Sequence, residues 1–430
     1  MQEKVKQLSF RVKELSIENE SLKAEVEIYR QEAGGKSGGA DVASSIDYVD
    51  TSEQRQALVA CEDFVRGGSG VYPKVADIVL PNLHGNANPL CCSLSSDDTV
   101  LATGGADCTL GLTPWGAACD KNKVADVVAN ACKLQCDGPV ITTAFHPSAK
   151  VVAAGCMDGS VWVVSFDIVT GKGLVITAST MIPKKHAKYV KTVAWRSTNN
   201  TPFVLASGSA DGTIQLTEVS IQVNYGTDDE TTTSIDLKPM ETLHLSGAVE
   251  ALCFIQDELC CYARGKPYLM CFDTRQDFCQ RKINLNSGGR PAAAGTTLED
   301  QHVSFAIMDM APSPTAAGNN ATVGKYLAVA TDASRNIIID FASGLQVRNL
   351  YGHQNDSYSN PKIAWSSNGQ YLLGNTQEDA SVCVWDIASG EIVERMNEHG
   401  QTVRGLFASY TTDTLVTTSF DKQTKLWFSS

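Results

Sequence analysis

The chain has 430 residues, of which 43% are hydrophobic and 19% are charged, and its formal net charge is −13. The length allows a large buried core, while the acidic balance opposes nonspecific binding to nucleic acid, so direct nucleic-acid binding is not expected. No apolar run is long enough to span a membrane and no signal-peptide core follows Met1, so we expect a cytoplasmic or nuclear protein that is not secreted.

Cysteine usage points to a reducing compartment. The 14 cysteines are scattered and form no pairs at zinc-binding spacing. Two adjacent pairs, Cys91 with Cys92 and Cys260 with Cys261, should place their side chains on opposite faces of a strand. We therefore expect reduced, mostly buried thiols, with no metal site and no cofactor.

The first element along the chain is a heptad repeat in residues 1–33. Its a and d positions are mostly β-branched residues and Leu, which favours a parallel two-stranded coiled coil of about 37 Å. Glu18 would face Lys23, and Glu25 would face Arg30, across a homodimer, so self-association is permitted. The alternatives are a coiled coil with another protein and a helix docked on the rest of the chain. The interface positions are Val5, Leu8, Val12, Leu15, Asn19, Leu22, Val26 and Tyr29.

Residues 34–70 are predicted to be a flexible linker with one short helix. The sequence GGKSGG at residues 34–39 superficially resembles a phosphate-binding loop, but Arg30 stands where the motif needs its first Gly. Residues 52–66 have the spacing of an amphipathic helix, with Leu58, Cys61 and Val65 on one side. Such a helix would pack on the following domain or bind a partner.

Residues 71–430 are predicted to form one repeat domain, and its last two repeats are the clearest. Their histidines lie about 46 residues apart, and in both repeats an Asp precedes a Trp by six positions. An Asp in a tight turn can bond the preceding His, while the Trp fills the space between repeats. We therefore interpret these residues as structural rather than catalytic or metal-binding: His353, Asp379, Trp385, Asp386, His399, Asp421 and Trp427.

Five weaker copies precede these two, which makes the count seven. They occupy residues 84–112, 140–162, 186–217, 248–273 and 303–344. A single four-stranded unit cannot bury both of its faces, whereas seven units can close into a ring. The chain stops after the third strand of the last unit, so residues 75–80 should supply its outer strand and close the ring.

These motifs resemble those of the WD40-repeat family. The resemblance implies an all-β fold, a seven-bladed β-propeller, here preceded by an N-terminal α-helical coiled coil. It also implies a noncatalytic scaffold or adaptor that mediates protein–protein interactions in a multi-subunit assembly, with the coiled coil for dimerisation. No hydrolase elbow, zinc-protease helix or dinucleotide fingerprint is present in the sequence, so we do not expect an enzyme.

Several segments are candidates for partner contacts. Residues 224–234, 286–301 and 312–323 are predicted insertions that either recognise proteins or are surface filler. The basic run Lys184, Lys185, His186, Lys188 and Lys191 is either a solvated rim or a site for an acidic partner segment.

One short motif suggests a second function. Residues 272–275, with the sequence FDTR, resemble the end of the WDxR box of substrate receptors of cullin-RING ubiquitin ligases. This resemblance makes Arg275 a candidate adaptor contact and makes such a receptor the alternative function.

Overall fold

A computed structural model describes residues 64–67, 72, 75–116, 124–148, 150–169, 173–197, 202–225, 231–255, 257–274, 279–285, 303–314, 324–355 and 360–428. Over these residues the chain forms seven four-stranded antiparallel sheets. The predicted all-β class and the count of seven blades are confirmed. The predicted coiled coil in residues 1–33 and most of the predicted linker lie outside the described residues.

Each blade takes its strands in chain order from the centre of the ring outward, except the last. Blade 1 contains β2 (Pro89–Leu94), β3 (Val100–Gly105), β4 (Thr109–Pro114) and β5 (Cys132–Gln135); blade 2 contains β6 (Val140–Phe145), β7 (Val151–Cys156), β8 (Val161–Val169) and β9 (Gly173–Met181); blade 3 contains β10 (Val190–Trp195), β11 (Phe203–Ser209), β12 (Thr213–Tyr225) and β13 (Thr231–His244).

Blades 4 to 7 continue the same order. Blade 4 contains β14 (Val249–Ile255), β15 (Glu258–Ala263), β16 (Tyr268–Asp273) and β17 (Cys279–Asn284); blade 5 contains β18 (Ile307–Pro312), β19 (Tyr326–Thr331), β20 (Asn336–Asp340) and β21 (Gln346–Leu350); blade 6 contains β22 (Ile363–Trp365), β23 (Tyr371–Asn375), β24 (Val382–Asp386) and β25 (Glu391–Met396); blade 7 contains β26 (Val403–Ala408), β27 (Leu415–Ser419), β28 (Gln423–Trp427) and β1 (Ile78–Pro81).

The innermost strands surround a central channel. Each of these strands contacts the innermost strands of both neighbouring blades, and β2 contacts β26, so the circle is closed. One short helix, α1 (Val124–Ala129), interrupts blade 1 between its third and fourth strands. The face of the ring at which the innermost strands begin, and at which the turns between second and third strands lie, is called the upper face below.

The core consists of seven apolar clusters, one between each pair of neighbouring blades. Successive residues of a strand point to opposite faces of a blade, so both faces are apolar and both are buried. In β7, Val151 contributes to the cluster with blade 3, and Val152 contributes to the cluster with blade 1. Cys91 and Cys92 likewise enter different clusters.

The ring is closed by the strand that the sequence predicted. β1 pairs antiparallel with β28, with Ile78 opposite Leu426 and Leu80 opposite Thr424. Glu398 reinforces this closure, because its Oε2 accepts a hydrogen bond from the backbone N–H of Ala76 at 2.8 Å. The pairing covers the edge of β28, which would otherwise be free to pair with another chain.

A short segment ahead of the ring lies against blades 5 and 6. The ring of Phe64 lies 4.8 Å from that of Tyr326, and the backbone N–H of Gly67 donates to Asp386 Oδ1 at 3.0 Å. Residues 64–66 have irregular backbone, so the predicted helix over residues 52–66 is wrong at its C-terminal end. The rest of that prediction lies outside the described residues.

Both described ends of the predicted insertion at residues 224–234 are strand. β12 continues to Tyr225 and β13 begins at Thr231, so the two form one long hairpin. Its alternating residues Ile221, Ile235 and Leu237 pack on the cluster between blades 2 and 3, which explains why the strands extend. Residues 226–230, 286–301 and 315–323 lie outside the described residues.

Candidate functional site

Six innermost strands share a β-bulge at their second residue. A bulge redirects the side chain of the extra residue away from the regular faces of the sheet. In this ring the redirected side chains belong to Leu90, Ile141, Lys191, Glu250, Met308 and Arg404. Because all six strands begin at the upper face, five of these residues lie around the channel mouth there, whereas Met308 is buried in the apolar cluster between blades 4 and 5.

Ion pairs cross between blades at this mouth. Lys191 of blade 3 contacts the Glu250 carboxylate of blade 4, and Arg264 Nε donates to Glu250 Oε1 at 2.7 Å. Lys362 Nζ of blade 6 lies 3.5 Å from Asp309 Oδ1 of blade 5. Glu250 is buried, so its carboxylate holds two basic side chains in place while it compensates only one positive charge.

Arg404 differs from the other basic residues at the mouth. Its Nε is buried and has no hydrogen-bond acceptor among the described residues, and no carboxylate described in the structure forms an ion pair with it. Its guanidinium lies 5.2 Å from the centre of the Phe420 ring. Burial lowers the pKa of Arg404, because the charged form loses hydration that no anion replaces.

The basic groups are close enough to affect each other. The pKa of Lys191 is lowered to about 8, first by burial and then by the positive charges of Arg264, Lys362 and Arg404. These residues belong to blades 4, 6 and 7, so basic groups of four blades act on one another at this face of the ring. Among these six described groups, the four basic side chains outnumber the carboxylates of Glu250 and Asp309 by two.

The charges occupy one arc of the mouth. Blades 1 and 2 contribute the half-buried aliphatic side chains of Leu90 and Ile141 at the bulged position, whereas blades 3 to 7 contribute the charged groups. The mouth therefore combines an apolar arc with a positively charged one, which suits a side chain or segment with both characters.

Away from the channel, buried histidines join the strands of three blades. In blade 7, His399 Nδ1 lies 2.8 Å from Asp421 Oδ2, and His399 Nε2 lies 2.8 Å from Thr417 Oγ1. Thr417 Oγ1 also accepts a hydrogen bond from Trp427 Nε1 at 3.0 Å. The geometry fits a histidine that donates from Nδ1 to the carboxylate and accepts the threonine proton at Nε2.

Blades 1 and 3 contain the same network without its tryptophan. His84 lies 2.9 Å from Asp107 and 3.0 Å from the hydroxyl of Thr103. His186 Nε2 lies 2.9 Å from Ser207 Oγ, and its Nδ1 lies 3.5 Å from Asp211. Their pKa values are lowered mainly by burial, although the aspartates act in the opposite direction. Both imidazoles are buried and engaged within their blades, so they have a structural role.

Comparison with known families agrees with this architecture. A family model for the WD domain, G-beta repeat (WD40), matches residues 79–112, 131–165, 178–217 and 344–386. Each match begins at an outermost strand and continues through the first three strands of the next blade, as a repeat that links neighbouring blades should. The chain carries WD40 repeats in a seven-bladed β-propeller. No curated protein matches it.

The WD40 repeat of blade 6 departs from the hydrogen bonding that its sequence predicts. Neither ring nitrogen of His353 has a hydrogen-bond partner among the described residues, so the expected bond to Asp379 is not formed. Asp379 instead accepts from the hydroxyls of Ser381 and Thr376, and Arg395 lies 3.6 Å from it. Although burial acts to raise it, these contacts lower the pKa of Asp379.

A glycine accounts for this departure. Leu372 pairs with Trp385 as Leu415 pairs with Trp427, so Gly374 occupies the register position of Thr417. Without a hydroxyl there, His353 has no acceptor or donor at Nε2, and Trp385 Nε1 donates to the carbonyl of Tyr351 at 2.8 Å instead. His353 packs its ring edge-on to Trp385, with the ring centres 5.0 Å apart.

The remaining predicted site residues are placed as follows. Trp385, Trp427 and Asp386 are buried, and Asp386 bonds Ser389 and Gly67. The basic run is dispersed: Lys185 pairs with Asp158, while Lys191 enters the channel. Arg275 and the eight coiled-coil positions lie outside the described residues.

Sequence reasoning missed most of the channel mouth. The sequence indicates Lys191 only as part of a basic run, and it predicts no site role for Glu250, Arg264, Asp309, Lys362 and Arg404. A sequence signal does exist, because the second residue of an innermost strand is charged in blades 3, 4 and 7 and follows a Val in each. This pattern can be recognised only when the strands of the different blades are aligned with one another.

Other kinds of site have less support in the described part of the chain. No three His, Cys, Asp or Glu side chains there are grouped to hold a metal ion, and no helix described is long and apolar enough to cross a membrane. A shallow cleft of about 980 Å³ runs along β25, lined by Tyr351, Glu391, Ile392 and Arg395 among others. It is open to solvent and lies far from the channel charges.

Proposed function

We propose that the protein is a noncatalytic scaffold or adaptor that binds protein partners through its propeller within a multi-subunit assembly, in the cytoplasm or nucleus. The observation that carries this proposal is the channel mouth, where a rigid ring holds charged side chains from five blades and Arg404 has no acidic partner among the described residues. Such a prearranged polar site on a rigid frame favours recognition, because little ordering entropy is lost on binding.

We also propose that a parallel coiled coil joins two copies of the chain. The N-terminal heptads support this proposal. Each dimer would present two rings to its partners. A coiled coil with another protein would instead make the heptads a partner-binding element.

The scaffold proposal is tested by affinity purification of the tagged full-length protein from its native cells, with identification of the bound proteins. We expect a reproducible set, at least one of which co-elutes with the purified protein on size exclusion. Recovery of nothing beyond an untagged control would contradict the proposal. Recovery of a ligase adaptor that is lost on Arg275→Ala would support the receptor alternative.

The dimer proposal is tested by light scattering at micromolar concentration. The full chain should have the mass of a dimer, and removal of residues 1–33 should give a monomer. Leu22→Lys in the full chain is a milder variant, because it buries a charge at a d position and should also give a monomer. A monomeric wild-type protein would contradict self-association.

A further inference from the structure

We infer that the upper mouth of the channel is a binding site for an acidic protein segment, with a carboxylate side chain of that segment paired to Arg404 and Lys362. The inference rests on the proposed function and names the ligand chemistry of the propeller. It begins from Arg404, a partly buried guanidinium with no acidic partner among the described residues.

An unpaired guanidinium at such a position is an incomplete ion pair. Buried charges in proteins are normally paired and hydrogen-bonded, because dehydration otherwise disfavours them strongly. The carboxylates that pair with the other basic groups are already engaged, Glu250 by Lys191 and Arg264, and Asp309 by Lys362 and the backbone N–H of Ile363. An incoming carboxylate would complete the ion pairing of Arg404 with the bidentate geometry that guanidinium favours.

The local charge favours a carboxylate over a polyanion. The four basic groups named above outnumber their two carboxylates by only two, and the whole chain has a net charge of −13. One or two carboxylates would balance that excess, whereas the many phosphates of a nucleic acid would meet Glu250, Asp309 and a negative field beyond them.

The apolar arc indicates which kind of side chain lies next to the carboxylate in the bound segment. Leu90 and Ile141 are half-buried at the same level of the channel on blades 1 and 2. A peptide that places an aliphatic side chain beside its acidic residue would contact both arcs, since the hydrophobic contact adds to a charge-assisted hydrogen bond. An acidic segment with interspersed leucines is therefore the expected ligand class.

The test uses the full-length protein and fluorescence anisotropy. The probe is a short fluorescein-labelled peptide centred on Leu-Glu-Asp-Glu-Leu, and its neutral counterpart is centred on Leu-Gln-Asn-Gln-Leu. We expect saturable binding of the acidic peptide alone. Arg404→Gln should weaken it about tenfold or more, the usual effect of losing one charge-assisted contact, and Lys362→Gln should weaken it as well.

Lys238→Gln is the matched control, because Lys238 is exposed on the outer strand β13 and pairs with Glu218 there. It should bind the acidic peptide as the wild type does. Unchanged melting temperatures of the variants show that the ring is intact. If Arg404→Gln does not fold, the affinity of Lys362→Gln for the acidic peptide tests the site instead.

Three results would overturn the inference: no binding of the acidic peptide, equal binding of the neutral one, or unchanged affinity in Arg404→Gln and Lys362→Gln. Tighter binding of single-stranded DNA that displaces the peptide would assign the site to phosphate and would also overturn it. Affinity purification distinguishes failure of the peptide-binding inference from failure of the proposed scaffold function. If wild type and Arg404→Gln retain the same partners, the scaffold stands and the carboxylate site falls.

Discussion

Blades 6 and 7 are neighbours with nearly the same sequence motif and different interiors. Both have a His, an Asp and a Trp at matching places, yet only blade 7 joins them through a hydroxyl, that of Thr417. In blade 6 the same position is Gly374, and both nitrogens of His353 are left without partners among the described residues. The side chain at this one position therefore decides whether the repeated His, Asp and Trp form a hydrogen-bonded network or the imidazole only packs on the indole.

The largest expected effect is common to both blades. Trp385 and Trp427 are both completely buried between blades. Replacement of either by Ala removes a large apolar side chain and leaves a cavity, so each should lower the free energy of unfolding by about 3–5 kcal/mol. Urea denaturation followed by circular dichroism measures this. An unchanged unfolding curve for Trp385→Ala would contradict its position in the core.

A smaller effect should distinguish the two blades. Thr417→Val leaves His399 Nε2 and Trp427 Nε1 without a partner, and should destabilise the protein by about 2–3 kcal/mol. His353→Phe should be neutral or stabilising, because it removes buried polar atoms that have no partner. Equal losses in the two variants would show that the blades do not differ in this way.

Stability at mildly acid pH should also separate the blades. Burial lowers the pKa of His353 to about 4, so between pH 6.5 and pH 4 the unfolded chain binds a proton that the folded chain does not. The stability that the protein gains from holding His353 neutral is therefore fully present above pH 6.5, and it is lost as the pH falls toward 4. From pH 7 to pH 5 the wild type should lose about 2 kcal/mol more than His353→Phe.

Urea unfolding of both proteins at the two pH values provides the measurement. His146, whose pKa burial also lowers to about 4, remains in both proteins and cancels in the comparison. Identical pH dependences would mean that His353 is not held in its neutral form.

The smallest effect concerns the glycine itself. A Cβ at Gly374 would lie 3.2 Å from the Trp385 ring and 3.3 Å from the carbonyl oxygen of Lys362, so Gly374→Ala should be destabilising. Gly374→Ser meets the same crowding but offers a hydroxyl to His353, and should be about 1 kcal/mol more stable than Gly374→Ala. Thermal denaturation of the two variants tests this, and a serine variant no better than the alanine variant would rule out a rebuilt network.

Much of the ring was predictable because its signals are local. Alternating apolar residues define the strands, turn residues separate them, and a recurrent His, Asp and Trp set the period of the blades. The closing strand followed from counting, since the last blade lacked one strand and residues 75–80 had no other partner. The hydrogen bond of His353 was predicted wrongly, because Gly374 is seen to stand at the position of Thr417 only when β23 is paired with β24.

The sequence by itself determined the all-β class, seven blades and the closure of the ring, because those properties depend on short-range periodicity that repeats. Only the tertiary structure decided which charges meet. Lys191, Glu250, Asp309, Lys362 and Arg404 are spread over more than two hundred residues of chain, and the ring brings them to one channel mouth. Charge pairing depends on distance in space, and in a propeller that distance is set by the order of the blades rather than by separation along the chain.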